Sequence, residues 1–561
     1  VPSARSAAIK TLTMNHTYSI SLETAAQVCV GHLAGEADED YSYYTIGGDG
    51  HQFPSSAATD SYWLAELYPN NDIQDLDVSN FVSTCLEAVP RVVRYSNLTQ
   101  QDLIPQLISL SIALEAVPIA IEDEGEADIS VECEVVFDAT VMWSGFSPAE
   151  SVDYVLERFS SSFVKDKLVK TNPGYKYPDK RHPLNYTFPS FDYQYGIVDF
   201  AVKERIFTFF LPTGCVPLTN DHRTHERVVK TFSSDSGAGK PITVYGYDNT
   251  TPLFGGDTYE AETNCVKEHN LGQVASSENN VGFYDKLGPA ELPFVPPKVE
   301  ASKKYDSSKV YIALVVGDGD NVWHLKHSHY ELLQQRKEKC ASEPAACYPM
   351  SWTISPEAKR IIPDMVNALF GMLKDTGADD RIVLPPSGSL YSYPALMSDK
   401  GQNEYIDGMI SDFADYGARA SVHWEWFYDW IHAFRTYFPK WSEKTTSLEP
   451  RGFILTNVPY LFPIFSFGLR TDFKVVGDNV VLFRPNEWRK GSMDGALTPE
   501  EMAKKINGFD NGYVSPVYMT RDGSLDVIND SYTMVGLLND NVEVVDIDTL
   551  VDIAIEKHRA T

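Results

Sequence analysis

Short runs of β-branched and aliphatic residues recur along the last third to half of the chain, each followed by a polar loop or by apolar positions at helical spacing. They are Lys309–Val316, Met350–Ile354, Arg381–Pro385, Arg419–His423, Gly452–Asn457, Val475–Phe483, Tyr513–Met519 and Val542–Ile547. Eight such units over residues 303–561 have the count and length of a (β/α)8, TIM-like barrel. Gly477-Asp478-Asn479 interrupts the sixth run and weakens its pattern.

The N-terminal half alternates on a smaller scale. Helical spacing over Leu22–Leu33, Asp60–Leu67, Val78–Leu86 and Gln100–Ala113, with strand-like Arg91–Tyr95 and Pro118–Ile121, predicts an α/β module over residues 1–138. Glu122-Asp123-Glu124-Gly125-Glu126 reads as a solvated acidic loop. A second α/β module is expected over 139–302. It holds a helix at Pro148–Phe159, a Pro/Tyr/Lys-rich loop at Asn172–Pro189 and a strand at Ile206–Leu211. It ends in a Pro-rich, charged linker near Pro293, Pro296, Pro297 and Lys298–Asp306. The expected fold class is α/β, with one or two small modules preceding a C-terminal barrel.

Composition narrows the function classes. The chain has 561 residues and a formal net charge of -31, so the clustered Lys and Arg that neutralise phosphate are not its dominant feature. Nucleic acid is excluded as an expected partner, and neutral sugars or cations fit better. No stretch of 18 apolar residues occurs, so no membrane-inserted helix is expected. Seven cysteines show neither a CxxC pair nor zinc spacing. Cys340 and Cys347 are expected to form a local disulfide, and Cys215 and Cys265 a second. The odd count leaves a thiol free or available for an intermolecular disulfide or homo-oligomer. Sequons at Asn15, Asn97, Asn185, Asn249 and Asn529 mark possible glycosylation. Together these features predict a secreted or cell-surface glycoprotein.

The candidate chemistry lies just after the expected strands, where a barrel keeps its site. The first strand runs into Gly317-Asp318-Gly319-Asp320-Asn321, then Trp323. The second leads to Glu357, the third to Ser387, Tyr391 and Tyr393, and the fourth to His423-Trp424-Glu425-Trp426. The fifth ends at Asn457 and the sixth leads to Glu487. Paired carboxyls can do the acid and base work of glycoside hydrolysis. Asp320 and Glu425 are the expected pair, with Asp318 and Glu357 beside them. Aromatic rings stack on sugar faces while amides and hydroxyls bind sugar hydroxyls. That assigns substrate contacts to Asn321, Trp323, Ser387, Tyr391, Tyr393, His423, Trp424, Trp426, Asn457 and Glu487. Trp352, inside a strand, is expected in the core. No cofactor is expected. Asp318 and Asp320 are the alternative ligands for Ca²⁺ or Mg²⁺. His222 to His225 reads as a solvated turn.

Gly388-Ser389-Leu390-Tyr391-Ser392-Tyr393-Pro394 resembles the signature of the GxGYxYP family of glycoside-hydrolase-like proteins. Asp318-Gly319-Asp320-Asn321 and Trp352-Thr353-Ile354-Ser355-Pro356 resemble two further segments of that family. Tyr62-Trp63-Leu64, Ile112–Pro118 and Ser277–Val281 are similar to its N-terminal pattern. The resemblance implies a carbohydrate-active C-terminal domain, expected to hydrolyse a poly- or oligosaccharide. The alternative is a non-catalytic glycan-binding or matrix glycoprotein. Leu390 stands where the signature has its second Gly. A required positive φ would strain Leu390, and the ligand pocket beside Tyr391 would change.

Overall fold

The structure is a computed structural model. It describes residues 10–14, 19–34, 41–45, 56–67, 73–74, 77–124, 133–171, 197–233, 241–246, 266, 269–274, 280–285, 303–344, 347–426, 429–446, 449–456, 469, 471–490, 497–523 and 526–560. These fall into two compact units. One comprises Val1–Gly237, Ile242–Ala290 and Ile361–Met365; the other comprises Ala238–Pro241, Glu291–Arg360 and Val366–Thr561.

The first unit is built on three parallel sheets. Strands β1 (Lys10–Met14), β2 (Tyr41–Thr45) and β3 (Ile73–Gln74) run in the order β2-β1-β3. Strands β4 (Arg91–Tyr95), β5 (Val117–Ala120) and β6 (Glu134–Asp138) run in the order β5-β4-β6. Strands β7 (Lys167–Lys170), β8 (Phe207–Phe209), β9 (Ile242–Tyr245) and β10 (Leu271–Val274) run in the order β10-β9-β7-β8. The helix Ile20–Leu33 is buried on nearly every face from Ser21 to Gly31, polar Glu23 and Gln27 included, so it is the centre of a core rather than a surface helix. Leu22, Ala25, Ala26 and Val30 pack on Phe81, Val82 and Leu86 of the helix Val78–Ala88 and on Val92, Val117 and Ile119. The disulfide Cys29–Cys85 joins these two helices.

These strands are all two to five residues long and carry weak alternation, so several of them leave little periodic signal in the sequence. Two polar segments differ from expectation. The described part of the acidic tract is a turn that is solvated only in part: Glu122 is exposed and Glu124 half-exposed, but it is not free, because Asp123 is buried and all three carboxylates are bonded. Glu122 accepts from Ser96 Oγ at 2.7 Å and from Asn97 N at 2.8 Å, Asp123 accepts from Ser21 Oγ, and Glu124 grips Arg94 at 2.6 and 2.7 Å. Nor are His222 and His225 in a solvated turn. They lie on the buried face of the helix Asn220–Phe232.

The ring of His225 stacks on that of His269 at 3.9 Å, and His222 lies 4.7 Å from His269. Gly214 O is bonded by His222 Nδ1 at 3.1 Å and by His269 Nε2 at 3.0 Å. Burial holds His225 far below the ordinary histidine range, reinforced by Lys170 and the neighbouring rings. It holds His269 at about 3, against the bond to Gly214. A depressed folded pKa means that only the unfolded chain takes up the proton below about pH 6.5. Stability is therefore whole above that pH and falls as pH drops from there toward 3. Each such histidine costs about 1.4 kcal/mol per pH unit within that window. Thermal unfolding of His269→Gln beside the wild type, from pH 7 to 4, should show a shallower loss in the variant.

The second unit carries ten strands in one sheet: β11 (Val310–Val316), β12 (Met350–Thr353), β13 (Arg381–Leu384), β14 (Ala420–His423), β15 (Arg451–Leu455), β16 (Phe473–Val476), β17 (Val480–Phe483), β18 (Asn486–Lys490), β19 (Val514–Gly523) and β20 (Val542–Val544). Each of the eight expected runs contains strand, but they do not form a (β/α)8 ring. The sheet order is β16-β17-β15-β14-β13-β12-β11-β19-β18. An eight-strand ring would place the last strand between the seventh and the first. Here β19 pairs directly with β11 over six residues, and β20 pairs with the start of β11 on the side later taken by β12.

The sixth run is an antiparallel hairpin, β16–β17, turned at the Gly477-Asp478-Asn479 interruption. The unforeseen β18 follows after Arg484-Pro485 and joins the other limb of the sheet. The C-terminal helix Ile547–Ala560 packs against β11, β14, β15, β17 and β19 together, which requires the sheet to curl around it. Its Leu550, Val551 and Ile555 enter one core with Tyr311, Ala313, Ala420, Ile454, Val481 and Val514. Its carboxylates meet arginines at the strand starts: Asp548 lies 3.6 Å from Arg381 and Asp552 bonds Arg419. The strand ends are thereby left for the candidate site.

Candidate active site

Strands β11 to β15 are parallel neighbours, so the segments after them share one edge of the sheet. That edge collects most of the residues singled out from sequence.

Every residue of β11 is buried. The chain leaves it through Gly317, whose N–H donates to Met519 O at 2.7 Å. Asp318 then adopts φ +67°, the left-handed region. Gly319 is pressed against β12: its N–H donates to Thr353 Oγ1 at 2.9 Å, and its carbonyl accepts from Ser355 N at 2.8 Å. A Cβ there would sit 1.6 Å from Thr353 O, so only glycine fits. Asn321 caps the following turn, accepting from Trp323 N at 2.9 Å. Asp318, Asp320 and Asn321 are all partly exposed.

A left-handed non-glycine residue costs roughly 1–2 kcal/mol, somewhat less for Asp. Asp318 thus holds its position against backbone preference, as residues at functional sites do. Asp318→Gly and Asp318→Ala both remove the carboxylate, but only Ala keeps the backbone cost. Denaturant unfolding should find the Ala variant less stable than the Gly variant by about 1 kcal/mol.

After β12, Ser355 Oγ caps the next helix at Glu357 N and Ala358 N. Glu357 pairs with Arg360 at 2.6 Å, and Arg360 also bonds Asp412 at 2.7 Å. Asp412 in turn accepts from Ser389 Oγ in the signature loop. Glu357 therefore stands at the end of an ionic strut under that loop.

After β13, Gly388 turns at φ +107°, where a Cβ would strike the Met409 side chain at 2.2 Å. Leu390 does not take a positive φ, so its departure from the signature brings no backbone strain. Ser387 is fully buried and exchanges two bonds with the Trp424 main chain, donating to Trp424 O at 3.0 Å and accepting from Trp424 N at 2.8 Å. That clasp brings the third and fourth strand ends together. Tyr391 meets Trp424 edge-on at 5.0 Å, Tyr393 meets Trp426 at 6.2 Å, and the two tyrosines lie 6.2 Å apart. The tyrosines are buried and the two tryptophans half-buried.

Glu425 and His423 form the electrostatic centre. Each is 1 % exposed, and His423 Nε2 lies 2.9 Å from Glu425 Oε1. Ala395 N donates toward both carboxyl oxygens, at 3.0 and 3.1 Å. Burial pushes the Glu425 carboxyl well above its usual range, against the Ala395 bonds and with help from Asp429. Burial also holds His423 down at about 3. Its ring stacks on Tyr437 at 5.1 Å, and its Nδ1 has no hydrogen-bond partner among the described residues. Burial thus favours the uncharged form of both groups.

The remaining candidates scatter. Glu487 pairs in register with Tyr518 on the other limb of the sheet. Trp323 is buried beside His327, at 5.1 Å. Asn457 lies outside the described residues. Trp352 is in the core as expected, its Nε1 3.3 Å from Asp380. Among the described residues, no group of three or more His, Cys, Asp or Glu is arranged to hold a metal ion. Sequence reasoning missed Arg360, Tyr405 and Asp412. Only helical periodicity marks those positions, and nothing in it says which loop they support.

Cys340–Cys347 is bonded as expected, and Cys133 is the free thiol among the described residues. Cys215 is disulfide-bonded, and Cys265 lies outside the described residues, as do Asn15, Asn185 and Asn249. Asn529 is exposed and Asn97 partly so.

Among curated proteins, none matches the sequence. Among solved structures, the fold is similar to that of a putative hydrolase from Bacteroides thetaiotaomicron VPI-5482. The TM-score is 0.67 at 15 % identity, over 98 % of this chain and 95 % of that one. At that identity the likeness is one of fold. Residues 308–554 match the model of the GxGYxYP putative glycoside hydrolase C-terminal domain.

Proposed function

We propose that the chain is a secreted carbohydrate-active hydrolase that cleaves a glycosidic bond in a poly- or oligosaccharide. The observation that carries this reading is the buried Glu425 just after β14, its carboxyl pushed toward the neutral form by burial, beside the ring cluster Tyr391, Tyr393, Trp424 and Trp426. A carboxyl whose neutral form is favoured can donate to a leaving sugar oxygen. Asp320, partly exposed on the acidic turn, supplies the ionised partner as base or nucleophile. Asp318 and Asn321 hold hydroxyls beside it, and Trp424 and Trp426 offer faces to sugar rings. The disulfides Cys29–Cys85 and Cys340–Cys347 fit an oxidising compartment, where Asn97 and Asn529 would carry glycans. No metal is needed by this chemistry; Asp318 and Asp320 are where a Ca²⁺ or Mg²⁺ would bind.

One observation favours a second reading, glycan binding without turnover: Glu425 is enclosed, with both oxygens bonded to Ala395 and one to His423. The two readings part on a glycan array followed by product analysis. Binding with new reducing ends supports the hydrolase, and binding with intact glycan supports the second reading.

A further inference from the structure

The signature loop is shaped by a residue outside it. Tyr405 belongs to the helix Asp399–Tyr416 and is buried. Its hydroxyl accepts from Leu390 N at 3.2 Å and from Ser392 Oγ at 3.3 Å. Its own hydrogen faces two carbonyls, Ser387 O at 3.2 Å and Leu390 O at 3.3 Å. A phenol can accept twice and donate once, so this hydroxyl is fully used. Leu390 O also accepts from Ser387 N at 2.9 Å, which closes the loop on itself. Three residues, Ser387, Leu390 and Ser392, are thus tied at one buried oxygen, and the two platform tyrosines sit inside or next to that knot.

We infer that Tyr405 is the positioning residue of the signature loop, fixing where Tyr391 and Tyr393 stand and so setting the sugar-facing wall. This deepens the carbohydrate reading and rests on it for the ligand. It also explains why Leu390 is tolerated. The main chain at 390 is held by hydrogen bonds to Tyr405 and Ser387, in a conformation that needs no glycine. A buried amide or hydroxyl without a partner is costly, so removing one oxygen should release the loop while the rest of the unit stays folded.

The test is local hydrogen exchange on the full chain, which depends on no substrate. The peptide covering residues 386–397 is compared in the wild type, Tyr405→Phe and Tyr348→Phe. Tyr348 serves as the control, a half-buried tyrosine whose hydroxyl bonds Ser531 at 2.9 Å. Tyr405→Phe should speed exchange in that peptide at least tenfold, and Tyr348→Phe should leave it unchanged at a similar loss of Tm. Equal rates in all three proteins, or equal acceleration in both variants, would overturn the assignment. Should Tyr405→Phe fail to fold, the wild type still decides. Slow, core-like exchange at Leu390 agrees with the inference, and rapid exchange there contradicts it. Absence of glycan turnover would count against the proposed function and leave this result standing.

Discussion

Asp380→Ala is expected to cost the C-terminal unit about 3–5 kcal/mol, a large part of a typical domain's stability. The Asp380 carboxylate bonds Arg336 twice, at 2.8 and 2.7 Å, and both side chains are shielded from solvent. It also accepts from Met350 N at 2.8 Å and Trp352 Nε1 at 3.3 Å. One group therefore satisfies the helix Tyr330–Ser342, the first residue of β12 and a core indole just before β13 begins. Truncation leaves a buried guanidinium without its counter-charge, and that dominates the penalty. Arg336→Met with Asp380→Leu removes both charges and should recover part of the loss, though the Met350 amide stays unsatisfied. Urea unfolding of the single and double variants measures this coupling. A single variant within about 1 kcal/mol of the wild type would show that the pair contributes little.

Glu425→Gln is expected to lower glycan turnover by about 10²–10⁴, the range for a general acid, while the fold is kept. Gln preserves the shape and can still accept from Ala395. The stability arm has a definite sign. The folded pKa of Glu425 is raised, so its contribution is whole below the unfolded value near 4.5 and is lost as pH rises above it. Gln has no proton to lose. Relative to the wild type, the variant's Tm should therefore climb as pH increases from 4.5 toward neutrality. Equal pH dependence of the two proteins would mean that Glu425 ionises freely in the fold.

Much of this was legible in the sequence, and the reasons are local. A strand that is buried along its length must be apolar throughout, so β11 stood out, and so did the acidic turn that ends it. Gly319 was visible as a glycine, but the Thr353 carbonyl that demands it comes from a neighbouring strand. The local disulfide Cys340–Cys347 followed from proximity in the chain, whereas Cys29–Cys85 spans 56 residues and depends on how two helices pack.

The barrel was misjudged because counting strands does not give their neighbours. The direct β11–β19 pairing and the β17–β18 break at Arg484-Pro485 are decided by the C-terminal helix filling the curl, a tertiary fact. The same limit applies at the site. Glu357 and Ser387 carry suitable chemistry in suitable places, yet Arg360 and the Trp424 main chain engage them. Spacing names the groups that reach the edge of a sheet but not their partners.

The central claim is that this edge hydrolyses a glycosidic bond with Asp320 and Glu425 as its carboxyl pair. The most direct measurement is release of new reducing ends from a panel of soluble polysaccharides by the wild type, Asp320→Asn and Glu425→Gln, each confirmed as folded. Release by the wild type on at least one glycan is expected, with near-complete loss in both variants. Undiminished release by either variant, or none by the folded wild type across the panel, would contradict it.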